Sequence, residues 1–466
     1  MSTQIRFQRG RFGALARSAQ ALAAVALVLT AQAPAFAQDA EDDAAAAVTD
    51  EKDVKWFALT GGDVYTGTGA VLHGATVLCK DKKISAIGYD LDIPDGAEVM
   101  DVSGNRVYPG LIASASFGLF GGGGELADSV DPYNRNMILA LAAGVTTAVN
   151  GSQVAKLKRG EIEGVVIKDG AFESFNYSKS SPSSKAQLRE KLETAAAYLR
   201  DYRQWENDVR SNKDLKEPAK KGVDQKVLDV LQGRLLPTFN ADERTDLLEI
   251  ARLAQRFGFR PIIRGCREGW VVADELGRAG AMAVITPRER RTRSEDLVRE
   301  GGSSIENAAI LYKHGVQVSV IPQSPGISLG GIVGRDLLHY STEAAYAIRG
   351  GLPDDAALAA LTIVPARMLG VDWRVGTLEP GKDADMIVTD GDLMHYQTWV
   401  QWAIVDGKVA YDKQEEMYFA HIRPRPEAAL APEVRVDPGE ENPAEPPAPA
   451  EEAEKPAEQP EGGGGQ

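Results

Sequence analysis

The sequence predicts an α/β protein that combines a barrel of alternating strands and helices with a small β-sandwich. Three observations lead to this prediction. The chain has 466 residues, close to the length of one large barrel plus a satellite domain. Short apolar runs broken by Gly and Asp follow one another evenly over residues 54–108, as in a small sandwich. From Leu235 onward, short apolar runs alternate with helical patterns of about 10 to 15 residues, which indicates parallel βα units.

The first 53 residues are predicted to add nothing to this core. Residues 1–37 are typical of a secretory signal peptide, with a basic start, an apolar stretch and a small-residue cleavage motif ending at Ala37. The apolar stretch, Ala21 to Ala31, is shorter than the roughly 20 residues that span a bilayer. Residues 38–53 form an acidic linker. We therefore expect a periplasmic or secreted protein that starts at Gln38 and has no stable membrane anchor.

Charge and cysteine content exclude several classes of function. The formal net charge of -15 argues against nucleic acid and anionic membrane surfaces as partners, because both attract basic faces. Residues 424–466 are rich in Pro, Glu and Ala and predict a disordered acidic tail. Cys79 and Cys266 are too few for a disulfide framework, and neither has Cys or His at metal-ligand spacing. Both are predicted to be buried thiols.

The barrel region is predicted to open with a strand at Val107–Ala113. A helix over Pro132–Ala143 ends at Gly144, a natural helix terminator, and leads into the strand Val145–Val149. A polar, helix-rich insertion over 176–233 follows. Further strands are predicted at 164–168, 235–239, 260–264, 281–285 and 316–321, and further helices at 186–209, 245–257, 270–279, 305–314, 337–349 and 353–369. Alternation of this kind is the unit of an α/β barrel.

Several stretches resemble the imidazolonepropionase-like group of the amidohydrolase superfamily. Pro109-Gly110-Leu111-Ile112 is similar to the start of that group's first barrel strand. The runs 361–388 and 402–411 resemble the segment in which the barrel ends and the chain returns to the sandwich, with Asp406-Gly407 as a hairpin turn. The resemblance implies a (β/α)8 TIM-like barrel over residues 109–375. It also implies a β-sandwich formed from both ends of the mature chain, residues 54–108 and 376–415.

The same resemblance implies a metal site at the carboxyl ends of the strands, where this family uses His and Asp ligands to activate water. In this chain, Ala113 stands in the place of the first-strand Asp. The positions that correspond to the metal ligands are Ala115 and Phe117 on the first strand, Asn240 and Asp242 after the fifth, Gly265 after the sixth and Gln323 after the eighth. None of them is His, so we expect a degenerate metal site. Of the five His in the chain, His339 alone is predicted near this end.

The strand ends nevertheless hold polar residues that offer chemistry of their own. Arg264, Arg267 and Glu268 are predicted to join Asn240, Asp242 and Gln323 there. The group is compatible with a neutralised, salt-bridged pocket. It is also compatible with an anion or small-molecule site, because two Arg can hold an anion by paired hydrogen bonds. A carboxylate pair acting as acid and base without a metal is the third interpretation.

Three functions follow from these alternatives. The first is a secreted pseudoenzyme, without a metal cofactor, that serves as partner or scaffold for an active amidohydrolase in a homo- or hetero-oligomer. The second is a hydrolase of non-peptide C–N bonds, such as cyclic amides or blocked dipeptides, with unorthodox ligands around Asp242 and Glu268 and a divalent metal such as zinc. The third is a periplasmic small-anion binding protein that uses Arg264 and Arg267.

Overall fold

A computed structural model describes residues 54–122, 125–213, 215–289, 301–328 and 334–416. All of them except Val54 belong to one compact unit, residues 55–466. The predicted signal peptide, acidic linker and acidic tail lie outside the described residues, as does His421. Within the described ranges, no helix combines the length and apolar character that a bilayer crossing requires.

The described strands are numbered in chain order. They are β1 Trp56–Tyr65, β2 Val71–Lys80, β3 Lys83–Gly88, β4 Glu98–Asp101, β5 Arg106–Pro109, β6 Leu111–Ser116, β7 Val145–Asn150, β8 Gln153–Lys156, β9 Val166–Lys168, β10 Phe172–Phe175, β11 Leu236–Ala241, β12 Ile262–Gly265, β13 Met282–Ile285, β14 Gln317–Val320, β15 Met386–Thr389, β16 Val400–Val405 and β17 Lys408–Asp412. They form three hydrogen-bonded sheets.

The described helices are numbered in the same way. They are α1 Leu126–Ser129, α2 Arg135–Ala142, α3 Pro182–Asp208, α4 Gln225–Leu231, α5 Arg244–Phe257, α6 Ala273–Arg278, α7 Asn307–Lys313, α8 Tyr340–Arg349, α9 Asp354–Leu361 and α10 Ile363–Leu369. Short 3-10 turns at Gly269–Val271 and Leu337–His339 precede α6 and α8.

The largest sheet has eight strands and draws on both ends of the described chain. Its order is β17-β16-β15-β5-β1-β2-β3, with β4 paired to β1. The pivot is β5, which runs parallel to β1 and antiparallel to β15. The hydrophobic core on this sheet includes Phe57, Val77, Met386 and Ile404, so residues from both ends bury one another. The hydrogen bonds form one continuous sheet, and the small β-sandwich stays a prediction.

The barrel region contains a parallel sheet and a mixed sheet. The parallel sheet has the order β10-β11-β12-β13-β14 and the mixed sheet the order β6-β7-β8-β9, in which β8 runs antiparallel to its neighbours. The βα alternation predicted from Leu235 onward is present in the order β11, α5, β12, α6, β13, α7, β14. The prediction of a closed (β/α)8 ring is corrected, because in the described residues no ladder joins the two sheets.

Local chemistry explains the end of one helix and one error of prediction. Helix α5 ends at Gly258, which has the left-handed backbone that glycine tolerates best. A single helix was predicted over residues 353–369, whereas the structure has α9 and α10 separated at Thr362. Pro365 explains the break, because proline lacks the N–H of a helical residue and its ring clashes with the preceding turn.

Both thiols are buried, as predicted. Cys79 and Cys266 are free and inaccessible to solvent. Burial raises the pKa of each thiol to about 12. A thiol that stays protonated near neutral pH is a poor nucleophile.

Candidate functional site

The carboxyl ends of the parallel strands hold most of the residues that the sequence analysis singled out. Asn240 on β11 pairs with Arg264 on β12, Arg264 with Val284 on β13, and Val284 with Ser319 on β14. Partners in a parallel ladder point to the same face of the sheet. These four side chains therefore form one row across the sheet, with Arg264 near its middle.

Arg264 reaches across the space inside the barrel region. Its Nη2 donates a hydrogen bond to the carbonyl oxygen of Ser114 at 3.1 Å. Its guanidinium carbon lies 4.7 Å from the centre of the Phe172 ring, within range of a cation–π contact. Ser114 belongs to β6 in the mixed sheet, and Phe172 belongs to β10, two strands from β12. The parallel sheet is therefore curved, and Arg264 lies on its concave side.

The Arg264 side chain is partly buried, and its hydrogen-bonding capacity is only partly used. Within the described ranges, Arg264 forms no ion pair with a carboxylate, and its buried Nε has no hydrogen-bond acceptor. Burial lowers the pKa of the guanidinium, as expected for a cation without a compensating charge. On the same face, the hydroxyls of Thr238 and Ser319 are buried and also lack partners among the described residues. This row thus has unused hydrogen-bonding capacity around a cation.

Arg267 has the opposite environment, because two carboxylates neutralise it. Its Nη1 lies 3.3 Å from Asp242 Oδ2 and 3.4 Å from Glu289 Oε1. The Arg267 side chain has 11% of its surface exposed, whereas the Asp242 side chain has 38% exposed, so this pair is only partly shielded from water. The interpretation of a neutralised, salt-bridged pocket fits Arg267 and Asp242. It does not fit Arg264.

Glu268 is held by backbone groups. Its Oε2 accepts a hydrogen bond from the N–H of Arg244 at 2.9 Å, and its Oε1 accepts one from the N–H of Gly302 at 2.8 Å. Arg244 is the first residue of α5, so the carboxylate accepts a hydrogen bond from an N–H that has no partner within the helix. Its negative charge also interacts favourably with the positive end of the helix dipole. Glu268 therefore fixes the start of α5 to the segment that precedes α7.

Gly265 leaves no room for a side chain. Its φ is +94°, and a Cβ built there would lie 2.4 Å from Asp242 Oδ1. Glycine is required both by the left-handed backbone and by the close approach of the Asp242 carboxylate. An imidazole at this position, which the family resemblance would call for, requires the strand end to move.

The first-strand positions carry apolar side chains. Ala115 lies in β6 and is half-buried, and Phe117 follows β6 with 57% of its surface exposed. The N–H of Phe117 donates to the carbonyl oxygen of Pro325 at 3.1 Å. A Cβ on Gly326 would come within 2.4 Å of the Phe117 ring, so this ring covers the segment after β14. At Phe117 an aromatic contact replaces a metal ligand.

The remaining predicted residues are engaged elsewhere or exposed. Gln323 is exposed, and its Oε1 accepts a hydrogen bond from Arg335 Nη1 at 2.8 Å. His339 Nδ1 lies 3.2 Å from Asp336 Oδ1. Asn240 is exposed at the end of its row. The predicted site thus divides into a row around Arg264, an ion-pair group around Arg267, and residues with structural contacts of their own.

The most concentrated group of buried charges was missed by the sequence analysis. Lys156, at the end of β8, is fully buried and contacts the carboxylates of three Asp residues. Its Nζ lies 2.6 Å from Asp383 Oδ2 and 2.9 Å from Asp385 Oδ2, and it also pairs with Asp406. Further cations that contact these carboxylates are Lys83, Lys158 and Arg374. This group, the Lys156 cluster, joins the mixed sheet to the eight-stranded sheet.

The charges of the Lys156 cluster stabilise one another. Burial alone would lower the pKa of the Lys156 ammonium, but the three carboxylates outweigh it and raise that pKa. Burial would raise the pKa of Asp383, but Lys156 and its other cations lower it to about 2. Three carboxylate oxygens lie within 4.8 Å of one another, a spacing that suits a metal ion. The Lys156 ammonium already contacts all three, which identifies the cluster as an ion-pair network.

The architecture described so far is an α/β fold of the TIM-barrel-like class with an added β-sheet domain, and comparison with known proteins agrees. An amidohydrolase from Thermotoga maritima MSB8 superposes with a TM-score of 0.58 and 24% sequence identity, over 76% of this chain and all of that one. At this identity the likeness concerns the fold.

Sequence comparison finds similarity to one family in part of the chain. Residues 285–415 match the sequence model of the amidohydrolase family. The amidohydrolase tasK of Hapsidospora irregularis is 32% identical over 96 residues, 21% of this chain and 10% of that protein. A candidate N-acetylgalactosamine-6-phosphate deacetylase of Escherichia coli (strain K12) is 41% identical over 51 residues, 11% of this chain and 30% of that protein. The chain thus matches less than a third of the length of either relative.

The strand-end residues do not fit the divalent metal that this family implies. Zinc in proteins takes imidazole, thiolate or carboxylate ligands. Ala115 and Phe117 offer none of these, Gly265 has no space for one, and the Asp242 carboxylate is paired with Arg267. The guanidinium groups of Arg264 and Arg267 also place positive charge at the same strand ends, where it would repel a metal cation.

Proposed function

We propose that this chain is an amidohydrolase-fold protein that does not perform metal-dependent hydrolysis and acts as partner or scaffold for an active amidohydrolase. The observation that carries the proposal is the absence of His from the family's ligand positions, together with two arginines, Arg264 and Arg267, beside them at the strand ends. Arg267 pairs with Oδ2 of the Asp242 carboxylate, and Arg264 extends into the interior toward Ser114. Such a site has neither the ligands nor the charge to activate a water molecule through a metal.

The neighbouring geometry supports the same proposal. The cavity beside Gly265, Arg267 and Glu289 measures about 10 Å³, which is about the space of a single water. Glu268 is committed to two backbone N–H groups and Asp242 to Arg267. These contacts argue against the pair Asp242 and Glu268 as a metal-free acid and base, because a general acid or base needs a free approach to its substrate.

A partner role finds support in one exposed aromatic loop. Between β15 and β16, Tyr396 has 83% of its surface exposed and Trp399 has 46%. Met394 and His395 in the same loop line a cleft of about 560 Å³ together with residues of the eight-stranded sheet and of α8 and α9. Exposed aromatic side chains beside a cleft are enriched at protein interfaces. This loop is the surface that we assign to the partner.

Metal content tests the first half of the proposal. The mature protein, from Gln38 onward, is exposed to zinc, freed of loosely bound ion and analysed by elemental mass spectrometry. The expected result is no retained zinc and no hydrolysis of cyclic amides or blocked dipeptides. About one equivalent of zinc per chain would overturn the proposal and direct attention to Asp242, Glu268 and His339 as ligands.

Affinity capture tests the second half. The wild-type chain is expected to retain an amidohydrolase with an intact His-x-His pair, identified by mass spectrometry, from an extract of its source cells. The variant Tyr396→Ser with Trp399→Ser is expected to lose it, whereas Tyr133→Ser, at an equally exposed aromatic residue, is expected to keep it. Capture of no such protein, or equal capture by all three chains, would contradict the partner role.

The proposal includes export from the cytoplasm. It rests on the signal-peptide pattern of residues 1–37, which lie outside the described part of the chain. N-terminal sequencing of the protein from the source cells is expected to begin at Gln38. A start at Met1 would contradict export with cleavage.

A further inference from the structure

We infer that the row around Arg264 is a binding site for a small organic monocarboxylate. The inference rests on the proposed function, because it assigns the strand ends to an anion held by Arg264 and not to a divalent metal. It differs from the family's hydrolytic site in that a side-chain cation of this chain, Arg264, supplies the positive charge.

The first argument is the unsatisfied state of Arg264. Its Nη2 donates to the Ser114 carbonyl at 3.1 Å, but its Nε is buried without an acceptor in the described part of the chain. Buried polar groups are nearly always hydrogen-bonded, and an unpaired one points to a ligand, an ion or an ordered water. The lowered pKa of the guanidinium has the same cause, since burial is not offset by a nearby carboxylate.

The second argument is the presence of further unused donors on the same face. Ser319 lies in the row of Arg264, two strands away, and its hydroxyl is fully buried without a partner among the described residues. Thr238 is the residue two positions before Asn240 on β11, so it shares the face, and its hydroxyl is buried and unpaired as well. A hydroxyl can donate to an anion, and three unsatisfied groups on one face favour an acceptor-rich ligand.

The third argument sets the charge and shape of the ligand. A guanidinium presents a planar fork that matches a carboxylate in a bidentate manner. The ligand should carry one negative charge, because Arg267 is already neutralised by Asp242 and Glu289 and those carboxylates would repel a dianion. Val284 separates Arg264 from Ser319 in the row, and the Phe172 ring lies against the guanidinium. Apolar neighbours of this kind suit a carboxylate with a small hydrocarbon body.

The test is thermal unfolding and calorimetric titration of the mature wild-type chain with acetate, isobutyrate, benzoate and chloride at constant ionic strength. A ligand that binds only the native state raises the unfolding midpoint in a saturable manner. The expected result is such a rise with at least one of the carboxylates and none with chloride. The variant Arg264→Met is expected to lose the rise and to weaken the dissociation constant by about tenfold or more.

Two further variants keep the test decisive. Arg264→Lys retains the charge without the planar fork and is expected to bind several-fold more weakly, which also covers the case that Arg264→Met fails to fold. Arg278→Met removes an exposed arginine on α6 and is expected to bind like wild type. Equal midpoint shifts in wild type and Arg264→Lys, or no shift in wild type, would overturn the site. Equal shifts of the unfolding midpoint with chloride and with carboxylates would contradict the assignment of the ligand as a carboxylate.

The zinc measurement on the same sample separates this inference from the proposed function. Absence of zinc together with absence of carboxylate binding removes only the inference. Retention of zinc removes the proposed function itself. A variant that loses carboxylate binding but still captures the partner amidohydrolase would show that the two roles use separate surfaces.

Discussion

The Lys156 cluster and the Arg264 row each hold a cation that is largely removed from water. The two cations differ in their surroundings. Lys156 contacts three carboxylates, and those carboxylates contact further cations. Arg264 contacts one carbonyl oxygen and one aromatic ring, without a carboxylate partner among the described residues. In the first arrangement each carboxylate has at least one cation as partner. In the second, the buried Nε of Arg264 has no acceptor among the described residues.

This difference separates structure from function in physical terms. A buried ion pair whose partners are all present is destabilised when one partner is removed, because the remaining charge stays in a poorly solvated place. A buried charge without a partner already bears that cost, so its removal should cost little. The difference can be measured as opposite responses of stability to the loss of a single cation.

The largest effect is expected for Lys156→Met. Removal of the ammonium leaves Asp383, Asp385 and Asp406 buried close together, and the expected loss in free energy of unfolding is about 3 to 5 kcal/mol. Denaturation in urea, followed by far-UV circular dichroism, measures it. The control Lys226→Met removes one exposed ion pair with Glu173 and should change stability far less than Lys156→Met does. A loss of similar size in both variants would mean that the cluster is not the network described.

The second prediction concerns how the free energy of unfolding depends on pH through the Asp383 carboxyl. Because its cations lower the pKa of this carboxyl from 3.8 to about 2, they stabilise the native state above pH 3.8, and this stabilisation is lost as the pH falls toward 2. The variant Asp383→Asn should therefore be less stable than wild type by about 2 kcal/mol at pH 7, and the gap should close between pH 4 and 2. Urea denaturation at several pH values checks this. A gap that is constant down to pH 2 would contradict a lowered pKa.

The Lys156 cluster also shows what the sequence could not predict. Asp383 and Asp385 lie within the run 361–388 that resembles the amidohydrolase family, and the family match over residues 285–415 includes them. Their partner Lys156 lies 229 residues from Asp385 and 250 from Asp406 along the chain. Local patterns of propensity and periodicity contain no information on contacts across such distances. The network becomes visible only when β8 meets the turn between β16 and β17.

The strand-end residues were predictable in position but not in role. The spacing of strands and helices placed Asn240 and Arg264 at neighbouring strand ends, and the ladder between β11 and β12 pairs these two residues. The side-chain partners were not predictable, since Arg264 and Arg267 are three residues apart and have entirely different surroundings. Arg264 lies in the short strand β12 and faces inward, whereas Arg267 lies in the loop that follows β12. Their side chains therefore meet different neighbours.

The closed barrel was the least accurate part of the prediction. The repeat of βα units suggested eight parallel strands, but β8 runs antiparallel between β7 and β9. The turn at Gly151 and Ser152 reverses the chain immediately after β7. Because β8 has only four residues, its alternation is too short to be recognised in the sequence. This small insertion therefore went unnoticed.

An effect of intermediate size is expected for Glu268→Ala at the strand ends. The change removes an acceptor from two backbone N–H groups, at Arg244 and Gly302, and should cost about 1 to 2 kcal/mol. Urea denaturation measures it, with Glu289→Ala as a comparison that leaves the start of α5 intact. If Glu268 had a catalytic and not a structural role, stability should stay unchanged. A result within error of wild type would thus contradict the helix-fixing contact.

Arg264→Met is expected to change the free energy of unfolding little, or to raise it, in contrast to the losses predicted above. The change removes a partly buried charge that has no carboxylate partner among the described residues and puts an apolar side chain in its place, so the free energy of unfolding should stay within about 1 kcal/mol of wild type or rise. The paired arginine gives the matched control, since Arg267→Met leaves Asp242 and Glu289 without their cation and should destabilise. Denaturation of both variants without added carboxylate measures the contrast. Equal losses would show that Arg264 has a partner after all.

The smallest effect is expected when the first-strand ligands of the family are restored. The double variant Ala115→His with Phe117→His supplies the two imidazoles that the resemblance calls for, yet zinc retention should stay well below one equivalent. A zinc site needs three or four protein ligands in a fixed geometry. Here Gly265 has no space for a third, Asp242 is paired with Arg267, and Arg264 adds positive charge. Elemental mass spectrometry measures the retained zinc, and a full equivalent would show that the first-strand histidines alone had been lost from a working site.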